Sequence, residues 1–367
     1  MRGKRIDICK MMTEKRKQQK NQRIEYIDAL KGFAIFCVIW GHSLQNLKNS
    51  YDFFHNPIFE FIYSFHMPLF FMVSGFFFSS SLKLNFKDFL YKKSMQLLLP
   101  CVVWSIIIHC IMKFSAAIVY GDEYFFSNWH VELKSILFPT RWSWFLRELF
   151  ISYFIVYVSL KLLKKDWLAC LLSIGFVLIA PYCGFQRVFL PVFWAGIYLK
   201  DNYHFILKYA KQILIISGTI FTICLFFWDG NYTMYVTDFP KLLKISPLSF
   251  NFTNINISFF RLFIGLFGSL FWFMLFKNIY KNNNFFVCLR KVGANTLAIY
   301  LLQWLIFESW ITIFLEYRKF DFPDMNIWIY SLILTPLISL VIFGICIVII
   351  KIVQKNKYVE LLLFGKI

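Results

Sequence analysis

The chain has 367 residues, of which 59% are hydrophobic, 21% are aromatic and only 16% are charged. This composition lies outside the range of soluble domains and indicates an all-α polytopic membrane protein. The net charge of +19 does not indicate a nucleic-acid partner, because the basic residues stand in small clusters between apolar runs, where they orient spans. The nine cysteines include no C-x-x-C pair and no histidine partner at metal spacing, so we expect no metal site.

Apolar segments account for most of the chain. Residues 1–27 form a polar, basic arm that lacks the apolar core of a signal peptide, so the first span is expected to remain as an anchor. Segments of about 15 to 25 residues follow, which is the length that crosses the hydrocarbon core of a bilayer. The predicted spans are 28–47, 57–79, 94–118, 142–163, 167–182, 188–199, 212–228, 257–276, 292–316 and 328–350. The sequence therefore predicts a bundle of about ten transmembrane helices.

Basic residues mark every second connection between these spans. Beyond the arm, the basic clusters lie at 83–93, 161–165, 200–211, 277–291 and 351–366. Because basic loops stay on the cytoplasmic side of a membrane, both termini are expected to face the cytoplasm. The chain thus divides into a basic cytoplasmic arm (1–27), a transmembrane domain (28–350) and a cytoplasmic tail (351–367).

Three polar residues interrupt the first apolar span. Asp28, Lys31 and His42 fall within roughly 60° of one another on a helical face, with Lys31 roughly 16 Å from His42 along the axis. Asp28 has an ordinary explanation as a helix-capping carboxylate, and Lys31 has one as a side chain that reaches back to the membrane surface. His42 is harder to explain structurally. Its imidazole is the best candidate general base in the chain, because ionisable residues inside spans mark functional routes.

The second span contains another ionisable residue, His66. The chain re-enters the membrane here, so His66 is expected at a depth similar to that of His42. The alternative is a structural histidine, hydrogen bonded to a backbone carbonyl that Pro68 leaves without its donor. Ser74 and Gly75, further along this span, are small residues that permit close helix packing.

Short motifs occur in order along most of the chain. They are Ile27-Asp28-Ala-Leu-Lys31-Gly32 with His42 after ten intervening residues, Met67-Pro-Leu-Phe-Phe-Met-Val-Ser-Gly75, Trp144-Phe-Leu146, Phe193-Trp-Ala-Gly196 and Thr296-Leu-Ala-Ile-Tyr300-Leu-Leu-Gln303. In this order they resemble the integral membrane acyltransferase-three family. The spacing from the basic residue to His42 is the most specific part of the resemblance, which extends from Arg23 to Gln303.

The resemblance implies a ten-span enzyme that transfers an acyl group, usually acetyl, from cytoplasmic acetyl-CoA to a hydroxyl of an extracytoplasmic glycan or lipid-linked sugar. His42 matches the family's essential histidine, Lys31 its basic partner and Asp28 the preceding acid, so these are the expected catalytic residues. His42 then acts as a general base or as a transient acyl carrier. We expect a multi-pass protein of the bacterial inner (plasma) membrane, whose partners are acyl-CoA, the sugar acceptor and the bilayer.

Further residues extend the expected site. The candidate substrate-binding residues are His66, Trp144, Arg147 and Gln303. Lys92 and Lys93 are candidate contacts to the anionic CoA head, although many family members have two spaced arginines there. Gln303 stands where a histidine is often found, which argues against a role in proton transfer. Arg147 and Glu148 point about 100° apart on a helix, so they need not pair with each other.

A non-enzymatic transporter or flippase for a glycolipid or polysaccharide is the alternative. A translocation path lined by Lys31 and His42 would explain the polar stripe equally well. It gives no reason for the ordered set of motifs. The prediction is therefore a membrane O-acetyltransferase whose acceptor and oligomeric state stay open.

Overall fold

The protein is described by a computed structural model. The described residues are 24–47, 53–120, 143–163, 165–180, 183–232, 244–245, 248–249, 252–311 and 326–366. Apart from turns and one antiparallel strand pair, β1 (Lys244–Ile245) with β2 (Leu248–Ser249), this part of the chain is helical. The predicted all-α fold class is therefore confirmed.

Each of the apolar segments predicted from the sequence contains a helix. In chain order the helices are α1 (Glu25–Asn46), α2 (Pro57–Phe76), α3 (Ser79–Leu82), α4 (Phe86–Lys93), α5 (Leu99–Tyr120), α6 (Trp144–Leu162), α7 (Asp166–Ile179), α8 (Gly184–Asp201), α9 (Tyr203–Lys208), α10 (Ala210–Phe226), α11 (Phe252–Ile279), α12 (Asn284–Gly293), α13 (Thr296–Trp304), α14 (Ile327–Ile329), α15 (Thr335–Val353) and α16 (Lys357–Phe364). π-Helical segments at Ser94–Leu98, Leu305–Ile311 and Tyr330–Leu334 interrupt this series.

Length and composition mark some of these helices as membrane spans. Within the described residues the five candidates are Glu25–Asn46, Pro57–Phe76, Phe86–Ile111, Asn256–Ile279 and Ile327–Val353. The bent pair formed by α12 and α13 raises this number to six if it is one broken span. The protein thus has several membrane-spanning helices, while the number of ten crossings stays a prediction.

The segment predicted as the ninth span contains a sharp bend. α12 and α13 meet at an angle of 71°. Asn295 closes the break, because its backbone N–H donates to the carbonyl of Val292 (2.7 Å) and its side-chain amide donates to that of Lys291 (3.2 Å). The last turn of α12 is thereby capped before α13 begins. The predicted start of the ninth span at Val292 is corrected to Thr296, while its predicted end at Glu316 lies outside the described residues.

Glycines bring α1 and α2 into close contact with neighbouring helices. A Cβ at Gly293 would overlap the carbonyl oxygen of Asp28, and a Cβ at Gly32 would overlap that of Leu289. The backbones of α1 and α12 therefore touch, an approach that only small residues allow. Gly75 makes the same kind of contact between α2 and α8, which confirms its predicted role in packing.

One end of the bundle brings together the segments that are rich in basic residues. At the start of α1, Glu25 forms an ion pair with Arg290 of α12. Next to it, the hydroxyl of Tyr26 is hydrogen bonded to that of Tyr203 in α9 (2.9 Å). We call this the basic end. His42 lies toward the opposite end, since it is in the last third of α1.

The predicted tail folds against the basic end. Its helix α16 buries Phe364, and the indole nitrogen of Trp104 donates to the carbonyl of Leu363 (2.7 Å). Lys366 donates to the side-chain oxygen of Asn295 (2.6 Å), at the break between α12 and α13. The last described residues are therefore part of the packed bundle.

Candidate functional site

Asp28 and Lys31 form an ion pair near the start of α1. Lys31 Nζ lies 2.8 Å from Asp28 Oδ1, and the side chain of Asp28 is only 8% exposed. α1 begins without a side-chain cap, although its first turn holds both Glu25 and Asp28 and so meets the helix dipole. The predicted alternative of a carboxylate that meets the helix dipole is therefore compatible with the structure, in which Asp28 is also paired with Lys31. Lys31 is directed at a buried carboxylate.

His42 lies on the same helix, about 16 Å further along its axis. Its ring packs against Trp304 of α13, with ring centroids 4.5 Å apart, and against Phe307, with centroids 6.2 Å apart. The residue is buried, and its Nδ1 has no hydrogen-bond partner among the residues that the structure describes. A buried ring nitrogen without a partner is uncommon in folded proteins and calls for a functional or ligand-based reason.

A polar cluster links His42 to His66. The side chain of Gln45 lies within reach of the His42 imidazole and accepts a hydrogen bond from the hydroxyl of Tyr63 (3.4 Å). The ring of Tyr63 packs against that of His66, with centroids 4.8 Å apart. We call His42, Gln45, Tyr63 and His66 the histidine cluster. His42 and His66 are thus connected through the side chains of Gln45 and Tyr63.

His66 has a backbone hydrogen bond, although not to the carbonyl that the structural alternative predicted. The Nδ1–H group of His66 donates to the carbonyl of Ile62 (2.6 Å). This carbonyl lies one turn before His66 and is not the Ser64 carbonyl that faces Pro68. With Nδ1 as the donor, Nε2 carries the lone pair. The structural alternative is therefore right that His66 is hydrogen bonded to a backbone carbonyl and wrong about which carbonyl it is.

Side chains from α15 and the adjoining π-helical turn contact the second half of α1. The indole nitrogen of Trp40 donates to the carbonyl of Ser331 and to the hydroxyl of Thr335, both at 3.0 Å. The hydroxyls of Ser43 and Ser339 are hydrogen bonded at 2.7 Å. These contacts flank His42 on α1 and join this part of the helix to α15 and the turn before it.

Arg147 and Glu148 are paired directly. Arg147 Nη2 lies 2.7 Å from Glu148 Oε1, so the expectation that these neighbours need not pair is corrected. The long, flexible arginine side chain spans the angle between the two positions. Glu148 is buried, and its second oxygen accepts a hydrogen bond from Gln186 (2.8 Å), whose own oxygen accepts one from Ser152 (2.7 Å).

Trp144 lies at the first turn of α6, in a stack of aromatic rings. Its indole is nearly parallel to the ring of Phe185, with centroids 4.5 Å apart. The next residue, Phe145, packs edge-on against Tyr300 of α13 (5.3 Å). The start of α6, with Trp144 and Arg147, therefore borders the helix that also contacts His42.

Gln303 lies in α13 and is fully buried. Both atoms of its side-chain amide lack a hydrogen-bond partner in the described part of the chain. Its neighbour Trp304 provides the ring that packs on His42. The candidate substrate-binding residue Gln303 is thus next to the candidate base.

The two lysines near the basic end have different environments. Lys92 is exposed, whereas Lys93 is buried and places its ammonium 3.7 Å from the centroid of the Tyr153 ring. The hydroxyl of Tyr153 donates to the carbonyl of Ser74 (3.2 Å). The π-helical segment Ser94–Leu98 follows immediately, and such segments are frequent at functional sites.

Comparison with known proteins identifies the family. The model of a family described as "Acyltransferase domain" matches residues 24–352, which is most of the chain. The protein belongs to this acyltransferase family. The earlier resemblance to integral membrane acyltransferases is thereby confirmed, and the matched range contains every candidate site residue from Asp28 to Gln303.

Two relatives of this chain are proteins named nodulation protein NolL. The chain is 33% identical over 141 residues to NolL of Mesorhizobium japonicum, covering 38% of this chain and 36% of that protein. It is 25% identical over 227 residues to NolL of Sinorhizobium fredii, covering 59% of this chain and 60% of that protein. The chain therefore spans about a third and three fifths of these relatives. No solved structure matches the chain.

Sequence reasoning missed several neighbours of the acyltransferase site residues. Gln45 had a signal, since it lies three residues after His42 and on a neighbouring part of the same helix face. Trp304 and Phe307 had none, because their contact with His42 depends on how α13 packs against α1. The hydrogen bond between Gln186 and Glu148 likewise joins two helices that are adjacent only in the fold.

Proposed function

We propose that this protein is a membrane O-acyltransferase that moves an acyl group, in the first place acetyl, from cytoplasmic acyl-CoA to a hydroxyl of an extracytoplasmic glycan or lipid-linked sugar. The observation that carries the proposal is His42 itself. It is a buried imidazole whose Nδ1 has no partner within the described part of the chain, and the chain belongs to an acyltransferase family. An imidazole with an unpaired ring nitrogen is suited to accept a proton from an alcohol.

The proposed chemistry is acyl transfer to oxygen. His42 accepts the proton of the acceptor hydroxyl while the hydroxyl oxygen attacks the thioester carbonyl carbon. The carbon–sulfur bond then breaks, the electron pair stays on sulfur, and the imidazolium returns the proton to the leaving thiolate. In the second form of the mechanism, His42 carries the acyl group between donor and acceptor. Both forms require an imidazole at this position.

Positive charge near the acyl route assists this step. Lys31, held by Asp28, and Arg147, held by Glu148, each present a cation fixed by a carboxylate. In a cavity of low dielectric constant, such fixed charges stabilise the negative charge that develops on the acyl oxygen or on the donor. His66 and Trp144 are the proposed contacts to the acceptor sugar, since aromatic rings and imidazoles bind sugar faces and hydroxyls.

The acyl donor is proposed to enter from the basic end. Lys93 is the stronger of the two candidate contacts to CoA, because its ammonium is buried against Tyr153, whereas Lys92 is exposed. A cation that is removed from water binds a phosphate more strongly than one at the surface. Acyl-CoA is a substrate in this proposal, and no metal ion takes part.

The basic end also determines the proposed orientation in the membrane. Ten crossings, with the arm, the basic clusters and the tail in the cytoplasm, would place the basic end inside and the histidine cluster toward the outside of the inner (plasma) membrane. The ion pair of Glu25 with Arg290 and the contact of Tyr26 with Tyr203 support this arrangement, because each joins two segments predicted to be cytoplasmic.

An assay on the purified protein tests the proposal. The detergent-solubilised or reconstituted protein is mixed with acetyl-CoA and a panel of sugar acceptors, and free CoA and acetylated sugar are both measured. We expect acceptor-dependent release of CoA with an equal amount of acetylated product. A protein that moves a glycolipid across proteoliposomes without releasing CoA would be a transporter, and this result would replace the proposed function.

A further inference from the structure

Gln303 has an amide that the described protein does not use. It is fully buried, and neither its Nε2 nor its Oε1 has a hydrogen-bond partner among the described residues. Leaving a buried polar group without a partner costs about 1–3 kcal/mol. A methionine or leucine would fill the same space without that cost. A polar side chain at this position therefore points to a ligand that supplies the missing partners.

The position of Gln303 indicates which ligand this is. One turn before it, Tyr300 contacts Phe145 at the start of α6 (5.3 Å), and one turn after it, Phe307 contacts His42 (6.2 Å). Residues three and four apart share one face of a helix, so Gln303 lies between these two contacts. It is therefore placed between the candidate base and the segment that carries Arg147.

We propose that Gln303 binds the acyl group during transfer, with its Nε2–H group donating a hydrogen bond to the carbonyl oxygen of the thioester. This inference rests on the proposed function and adds a residue that contacts the reacting atoms. As the acceptor oxygen bonds to the carbonyl carbon, the carbonyl oxygen gains negative charge, so the hydrogen bond strengthens in the transition state. The Oε1 atom accepts an amide N–H of the pantetheine arm of the donor.

Gln186 shows what a structural glutamine looks like in this protein. It is equally buried, but its Nε2 donates to the backbone and side-chain oxygens of Glu148 (2.7 and 2.8 Å), and its Oε1 accepts from Ser152 (2.7 Å). All its hydrogen-bonding needs are met within the fold. Gln303, with no such partners in the described residues, differs in this respect from a residue kept for stability.

The test compares Gln303→Met with two controls. Methionine keeps the unbranched length of glutamine and removes both polar atoms, so Gln303→Met is expected to unfold at the same or a higher temperature. Gln186→Met, which leaves Glu148 without its amide donor, should unfold at a lower temperature. Trp272→Phe removes another buried N–H group without a partner in the described residues, away from the candidate site, and should keep parental activity.

Activity is measured as kcat with saturating acetyl-CoA and acceptor. We expect kcat of Gln303→Met to fall by about 10²–10³, as for loss of one oxyanion-binding donor. Gln303→His, which retains an N–H donor, should recover part of this loss. A parental kcat in Gln303→Met would overturn the inference. The inference would also be overturned if Gln303→Met lost activity and unfolded at a lower temperature, and Gln303→His recovered no activity. If the parent itself transfers no acyl group from acyl-CoA, the proposed function falls and the inference falls with it.

Discussion

The imidazole of His42 packs against the indole of Trp304, with their ring centroids 4.5 Å apart. The two residues belong to α1 and α13, which are far apart in the sequence. The contact brings the helix with the ion pair of Asp28 and Lys31 next to the helix with Gln303. A single pair of rings thus joins the two halves of the candidate site.

Lys31 provides the first prediction. If its charge serves the donor or the internal pair with Asp28, Lys31→Arg should keep activity and Lys31→Met should lose about tenfold or more, since a hydrogen bond to a charged group is worth about 1.5–3 kcal/mol. Both substitutions cover similar apolar surface. Acetylated product per molecule of inserted protein is the measurement. Equal activity of the two variants would indicate that Lys31 has only a structural role.

Gly293 provides a prediction about stability. Gly293→Ala places a Cβ against the carbonyl oxygen of Asp28, so it should separate α1 from α12 and cost about 1–3 kcal/mol of folding free energy. Gly344→Ala is the matched control, because no atom lies near the added Cβ in that part of α15. It should be neutral or stabilising by about 0.5–1 kcal/mol. Thermal unfolding in detergent compares them; equal unfolding temperatures would argue against the close approach of α1 and α12.

The helices of this fold are largely predictable from the sequence, because a span must carry a long apolar segment whatever it packs against. The bend at Asn295 is not predictable in this way. The 71° angle between α12 and α13 accompanies the close approach of Gly293 to the backbone of α1, a contact between segments that are far apart in the sequence. The docking of Phe364 and the rest of α16 depends on contacts with distant helices, which no local pattern contains.

The residues of the candidate site were likewise predictable from the sequence only in part. His42, Lys31 and Asp28 were recognisable because charge inside an apolar span is costly and therefore conspicuous. The pairing of Arg147 with Glu148 was missed, since ideal helix angles ignore the reach of a flexible arginine side chain. The different burial of Lys92 and Lys93 also depends on tertiary packing, because only Lys93 meets Tyr153.

Lys93 and Lys92 form a matched pair for the donor site. Lys93→Met should raise the KM for acetyl-CoA by about tenfold or more, because a buried cation forms the stronger charge-assisted hydrogen bond with a phosphate. Lys92→Met should change this KM by less than about fivefold, as expected for an exposed charge. Initial rates at several concentrations of acetyl-CoA provide the measurement. A larger effect of Lys92→Met would indicate that the exposed Lys92, and not the buried Lys93, contacts CoA.

Orientation in the membrane can be tested by cysteine labelling in a cysteine-free background. A cysteine at Ser50 or Asn128, positions outside the described residues, should react with an impermeant reagent from outside the cell. A cysteine at Asn85 or Asn283 should react only after the membrane is opened. The opposite pattern would show that the protein has the inverted orientation, which would contradict the proposed route from a cytoplasmic acyl donor to an external hydroxyl.

The most direct measurement of the central claim is the amount of acetylated glycan in cells that produce equal amounts of parent and His42→Ala protein. Loss of the general base should lower acyl transfer by about 10²–10⁴. Membrane insertion should match that of the parent, and a second variant, His42→Gln, keeps more of the packing against Trp304 and so separates loss of the imidazole from loss of the buried contact. Near-parental acetylation by His42→Ala would contradict the account.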